Sequence, residues 1–104
     1  MIDWTLVDDL RAEVGADSFE EIVTLFLQEA DQVVIRLPTL TDARSLQHDL
    51  HFLKGSALNL GFVGLAQICQ TGERRAADVA LDAVISTYHQ SRAAFVSRLK
   101  ARAA

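Results

Sequence analysis

Leu46-Gln47-His48-Asp49-Leu50-His51-Phe52-Leu53-Lys54-Gly55-Ser56-Ala57-Leu58-Asn59-Leu60-Gly61 is the stretch from which the fold can be read. Leu46, Leu50, Leu53, Ala57 and Leu60 recur in alternating steps of four and three residues, which lays one apolar stripe along an α-helix. At about 100° per residue, His51 falls roughly 140° from the centre of that stripe, with Arg44, Gln47, His48 and Gly55 near it. His51 is therefore expected to face solvent. A helix with a single apolar face must bury it against other elements, so the flanking segments decide the architecture.

Those segments are also helical in pattern. Upstream, Phe19, Ile22, Val23, Phe26, Leu27, Ala30, Val33, Val34 and Leu37 repeat at helical period until Pro38, after an acidic start at Asp17-Ser18-Phe19-Glu20-Glu21 that complements the helix dipole. A shorter helix over 5–14 is predicted before it, opened by Asp3 or Thr5 and closed by Gly15 in the left-handed conformation. Thr41-Asp42 offers the cap of the histidine-bearing helix, which should run to Gly61. From Phe62 a further helix is expected to bury Leu65, Ile68 and Cys69 and to fade over 74–77, with close contact or irregularity at Gly64 and Gly72. Asp78 is read as the cap of a last helix in which Val79, Leu81, Val84, Ile85, Tyr88, Ala94, Phe95 and Leu99 recur at roughly helical intervals.

Four amphipathic segments with short connections predict an all-α fold, an antiparallel up-and-down four-helix bundle with an additional short N-terminal helix, as one domain over 1–104. Composition agrees: of 104 residues half are hydrophobic, with a single Pro. A net charge of −4 argues against nucleic-acid binding, which needs a basic face. No apolar run approaches the roughly 20 residues that span a bilayer, and the start lacks a signal-peptide pattern, so a cytoplasmic protein is expected. The lone Cys69 is expected to pack as a small hydrophobe.

The exposed face of the central helix carries the chemistry. A neutral imidazole has a lone pair able to attack a phosphoryl group. Lys54, at i+3, is placed to neutralise phosphoryl oxygens, and Gly55, at i+4, leaves bare backbone where a partner's active site can approach. Ser56 points away from His51, so direct phosphate contact by it is not expected. His48 is the competing acceptor, because His48-Asp49-Leu50 faintly resembles the opening of sensor-kinase dimerisation domains, but the proline usual after that motif is replaced by Leu53. His51 is preferred because Lys54 and Gly55 surround it. Phe52, Leu58 and Phe62 are candidates for an apolar docking rim, the alternative for the two Phe being packing between helices. His89, on the last helix, reads as an ordinary surface or boundary residue.

His51-Phe52-Leu53-Lys54-Gly55-Ser56-Ala57 followed by Gly61 resembles the signature of histidine-containing phosphotransfer (HPt) domains. The resemblance implies a histidine phosphocarrier of a multistep His-Asp phosphorelay, accepting a phosphoryl group on His51 from a receiver aspartyl phosphate and passing it to another receiver. Response-regulator receiver domains and a sensor (hybrid) histidine kinase are the implied partners, with Mg2+ held by the receiver, no cofactor bound here and no membrane partner. It also implies a polar residue on the next helix that orients the imidazole: Glu73, or Gln70 one turn earlier, the alternative for Glu73 being a solvated side chain beside Arg74 and Arg75. No Gly-rich nucleotide cradle is present, so this is a phosphotransfer intermediate and no ATP-dependent kinase is expected. Two other readings are a helical module that binds a receiver or kinase without phosphotransfer, and a metal-binding bundle using His48, His51 and His89. A monomer is expected.

Overall fold

In the computed structural model, which describes residues 2–75 and 80–103, helices α1 (Trp4–Val14), α2 (Ala16–Arg36), α3 (Ala43–Asn59), α4 (Val63–Arg74) and α5 (Leu81–Ala103) follow in chain order, with a 3₁₀ turn at Leu37–Thr39. No strand occurs among the described residues, only an isolated antiparallel bridge between Ile2 and Phe62. Helices α2 to α5 form the expected up-and-down bundle and α1 is the additional helix. The predicted cap Asp78 and the apolar position Val79 lie outside the described residues.

The helix ends follow local chemistry. Asp3, not Thr5, caps α1: its Oδ1 accepts from the backbone N–H groups of Thr5 at 3.0 Å and Leu6 at 3.3 Å, satisfying donors that have no partner within the helix. Gly15 is not in the left-handed helical conformation predicted for it. At φ 85° and ψ 157° it is extended with positive φ, a region essentially reserved for glycine. A single residue here both ends α1, donating to Arg11 C=O, and starts α2, accepting from Phe19 N–H, each at 2.9 Å, so there is no space for a longer left-handed turn.

Asp42 caps α3 by accepting from Ser45 N–H at 2.9 Å. Helix α3 then closes as a Schellman turn, with Phe62 N–H donating to Ala57 C=O at 2.7 Å, Gly61 N–H to Leu58 C=O at 3.3 Å, and Gly61 at φ 76°. The carbonyl of Gly61 in turn accepts from Asp3 N–H at 2.7 Å, which straps the start of α1 to the α3–α4 connection. Helix α4 passes through Gly64 and Gly72 without interruption, with Gly72 buried, and stops at Arg74.

Val23, Leu27, Ala30 and Val34 of α2, Leu37 of the 3₁₀ turn, Leu50, Leu53, Ala57 and Leu60 in and just beyond α3, Leu65 and Cys69 of α4, and Val84, Tyr88 and Phe95 of α5 share one core. Each fully buried aliphatic or aromatic side chain contributes about 1.5–3 kcal/mol. Ile22 and Phe26 are only half-buried, and Ala94, expected inward, is exposed. Its inward place belongs to Ser91, which is fully buried: counting about 100° per residue, Ser91 falls about 20° from Val84 and Ala94 about 80° from it.

Polar clasps set how the helices are rotated against one another. Arg36 grips Asp49 with Nε at 2.7 Å and a terminal nitrogen at 2.8 Å, joining α2 to α3. Asp31 on α2 accepts from Arg92 at 3.0 and 3.2 Å and from the Tyr88 hydroxyl, joining α2 to α5. Burial first, and then Asp31, pushes the Tyr88 phenol well up, so it stays a donor. Trp4 stacks on Phe95 at 5.5 Å under the guanidinium groups of Arg98 at 4.6 Å and Arg102 at 5.1 Å, which fastens α1 across the end of α5.

Candidate functional site

His51 sits on the outward face of α3 with its side chain 68% exposed, as the stripe spacing predicts. Lys54 is one turn on, and Glu73 projects from the last turn of α4, which the Schellman turn folds back antiparallel to α3. The three side chains meet. His51 Nδ1 lies 2.5 Å from Glu73 Oε1, and Lys54 Nζ lies 2.8 Å from Glu73 Oε2. Oε2 is buried and has no aligned hydrogen bond among the described residues, so the short ion pair with Lys54 is its compensation.

The charges follow from this geometry. Contact with the Lys54 ammonium, and then with His51, holds the Glu73 carboxyl below the usual carboxylate range against the opposing effect of burial. Glu73 is therefore ionised at neutral pH and can only accept, so Nδ1 of a neutral His51 carries the proton that it donates. Nε2 of that tautomer keeps its lone pair, on a side chain that is mostly exposed.

Glu73, not Gln70, meets the imidazole; Gln70 is exposed one turn earlier. Gly55 lies on the same outward face, and a Cβ built on it would meet nothing within 4 Å. Ser56 is buried and turned away from His51. Of the three rim candidates, Phe52 and Leu58 are exposed at 38% and 48%, whereas Phe62 is 1% exposed and packs edge-on to Phe95 at 5.3 Å. Phe62 is thus a core residue, because it follows the Schellman glycine and is carried inward by the turn.

His48 is more exposed than His51, and Asp49, the carboxylate 3.9 Å from it, is already held by Arg36. His89 is exposed on α5 with its ring 5.4 Å from that of Tyr88. Among the described residues no group of three His, Cys, Asp or Glu side chains is placed to hold a metal ion, and His48, His51 and His89 form no such set. Cys69 is fully buried, and desolvation pushes its thiol up to about 12. The sequence reading missed the burial of Asp49. The available signal was its position one residue before Leu50, on the inward half of α3, where a carboxylate requires a partner.

No described helix is long and apolar enough to cross a membrane. No curated protein and no solved structure matches the chain. The family model of the Hpt domain matches residues 21–101, which takes in α3, α4, about three quarters of α2 and nearly all of α5 together with His51, Lys54, Gly55 and Glu73, and leaves α1 outside. With the match covering most of its length, the chain belongs to the Hpt domain family, the histidine phosphotransfer modules of phosphorelays.

Proposed function

We propose that His51 is the phosphoacceptor of this module and that it carries a phosphoryl group between the aspartates of receiver domains. The observation that carries the reading is the exposed imidazole whose Nδ1 is held by Glu73 at 2.5 Å, leaving Nε2 free. The Nε2 lone pair attacks the phosphorus of a receiver aspartyl phosphate. The N–P bond forms as the P–O bond to the aspartate breaks, and the aspartate leaves as a carboxylate. Having given up its lone pair, the ring becomes positively charged, and the Glu73 carboxylate facing Nδ1–H stabilises that charge. Transfer onward is the reverse reaction with a second receiver's aspartate as nucleophile.

Lys54 offsets charge on the transferred group, and the bare backbone of Gly55 admits the partner's active site. Phe52 and Leu58 supply an apolar rim. Mg2+ belongs to the receiver, where it offsets phosphoryl charge. The chain binds no nucleotide in this reading and does not phosphorylate itself from ATP. It acts as a monomer in the cytoplasm, upstream of response regulators and downstream of a sensor or hybrid histidine kinase.

The test is transfer of labelled phosphate from a panel of phosphorylated receivers to wild type, His51→Gln and His48→Gln. Acid-labile, hydroxylamine-sensitive phosphate that vanishes only in His51→Gln is the expected result. Loss only in His48→Gln would move the acceptor, and binding of a receiver without any transfer would make the chain an interaction module.

A further inference from the structure

Helix α2 turns one face away from the whole bundle, and that face is not simply polar. Leu25 and Ile35 are 52% and 75% exposed, the two highest values among the exposed large hydrophobic residues described. At about 100° per residue, Leu25, Gln28, Gln32 and Ile35 fall within one sector of about 80°, centred about 150° from the buried set Val23, Leu27, Ala30 and Val34. Arg36, which clasps α3 through Asp49, lies just past one edge of the sector, and Asp31, which clasps α5 through Arg92, past the other. The sector is therefore the outward surface of α2, left bare by both neighbours. His51 lies about 160° round α3 from Asp49, the residue that faces α2, and meets Glu73 of α4. The stripe on α2 and the imidazole thus belong to separate faces.

Charge completes the pattern. Toward the start of α2 the same sector continues into Glu21 and Asp17, and these two with Glu20, Thr24, Leu25 and Gln28 line one shallow depression. All three carboxylates are exposed, and none forms an ion pair among the described residues. We propose that this face is a second docking surface, which takes an amphipathic helix of a partner protein, antiparallel to α2 and basic in its last turn. A helix fits because Leu25, Gln28, Gln32 and Ile35 follow steps of three, four and three residues, the spacing of a coiled-coil seam. The two central amides can both donate and accept across such a pair. The orientation follows from the dipole: Lys and Arg are favoured in the last turn of a helix, and antiparallel docking sets that turn against Asp17, Glu20 and Glu21. A parallel helix would bring its first turn there, where acidic residues are favoured. A second copy of α2 offers these carboxylates no cation, because Arg36, the only cation of α2, is held by Asp49. The proposal goes beyond phosphotransfer and does not rest on it.

The experiment is fluorescence anisotropy of a labelled synthetic peptide titrated with the full-length protein. The probe is an Ala-rich helix of about 18 residues, with Leu in alternating steps of three and four and Lys in its last turn; a control peptide carries the same Lys in its first turn. Saturable binding of the probe, tighter than that of the control, is the expected result. Leu25→Gln/Ile35→Gln, confined to exposed positions, should weaken it at least about tenfold, the scale of losing interface anchors. Asp17→Asn/Glu20→Gln/Glu21→Gln should abolish the preference between the two peptides, and added salt should narrow that preference in wild type. Phosphate transfer from a receiver should proceed in Leu25→Gln/Ile35→Gln as in wild type. No saturable binding, equal binding of the two peptides, or binding unchanged by Leu25→Gln/Ile35→Gln would overturn the proposal. So would sedimentation showing that the chain alone dimerises through this face, and so would a loss of transfer in Leu25→Gln/Ile35→Gln, which would give the stripe to the receiver.

Discussion

Replacing Gly55 by alanine should make the protein more stable and a poorer phosphotransfer partner. Glycine in a helix interior costs about 0.8–1 kcal/mol relative to alanine, and at Gly55 nothing offsets that gain, since an added Cβ would meet nothing within 4 Å. We therefore expect Gly55→Ala to raise stability by ~0.8–1 kcal/mol, a Tm increase of about 4 °C for a chain of this size. In the complex the same methyl would stand between the backbone beside His51 and the receiver surface that must close on it. Overpacking a fitted contact costs about 1–3 kcal/mol, so kcat/KM for transfer should fall roughly five- to 150-fold. Urea denaturation and rapid-quench transfer from one phosphorylated receiver measure the two effects on the same sample. Because the signs are opposite, partial unfolding cannot imitate the functional loss. Wild-type transfer by a stabilised Gly55→Ala protein would refute the docking role, and a loss of stability would refute the open-space argument.

The same substitution at Gly61 should do the reverse. A Cβ there would lie 2.6 Å from Asp3 C=O and the residue has φ 76°, so Gly61→Ala should lose about 1–3 kcal/mol, read as a lower urea midpoint. Asp49 ties stability to acid. Its hydrogen bonds from Arg36 hold its carboxyl below the usual value of 3.8, so its contribution is present above that value and is lost as pH falls through the depressed one. Asp49→Asn should cost about 1–2 kcal/mol at pH 7, less than for a fully buried pair because Arg36 is half exposed. The deficit should shrink at the acid end of a pH series of urea melts, and a deficit that stays constant would count against the ion pair. Leu58→Ala should leave thermal stability within about 0.5 kcal/mol of wild type while weakening receiver binding in calorimetry. Phe62→Ala, by contrast, should lose about 3–5 kcal/mol from the core.

The helices were legible because each is a local object. Side-chain direction along a helix depends only on residue spacing, so the stripe from Leu46 to Leu60 placed His51 outward, and the caps Asp3 and Asp42 act on their own first turns. The Hpt resemblance, carried by seven contiguous residues and Gly61, was readable for the same reason. The conformation of Gly15 was not, because it depends on two helices sharing one junction residue. The inward place of Ser91 was hidden by its polarity, which a hydrophobic count passes over.

What one chain segment cannot encode is which residues of two helices stand opposite each other. Glu73 and Gln70 are both polar residues of α4 and differ by less than one turn, so spacing alone left either as the partner of His51. The choice came from how α4 is rotated and set against α3, and that depends on the Schellman turn at Gly61, the packing of Leu65 and Cys69 into the core and the strap from Asp3. The sequence by itself determined the helices, their count and the exposed histidine, since these follow from propensity, capping and period. The tertiary structure alone decided that Glu73 bridges His51 and Lys54, that Phe62 is core and Leu58 surface, and that Arg36 and Asp31 pin α2 to its neighbours. Each of those outcomes is a contact between side chains far apart in the chain, and only packing the whole bundle fixes the rotation and offset that bring them within reach.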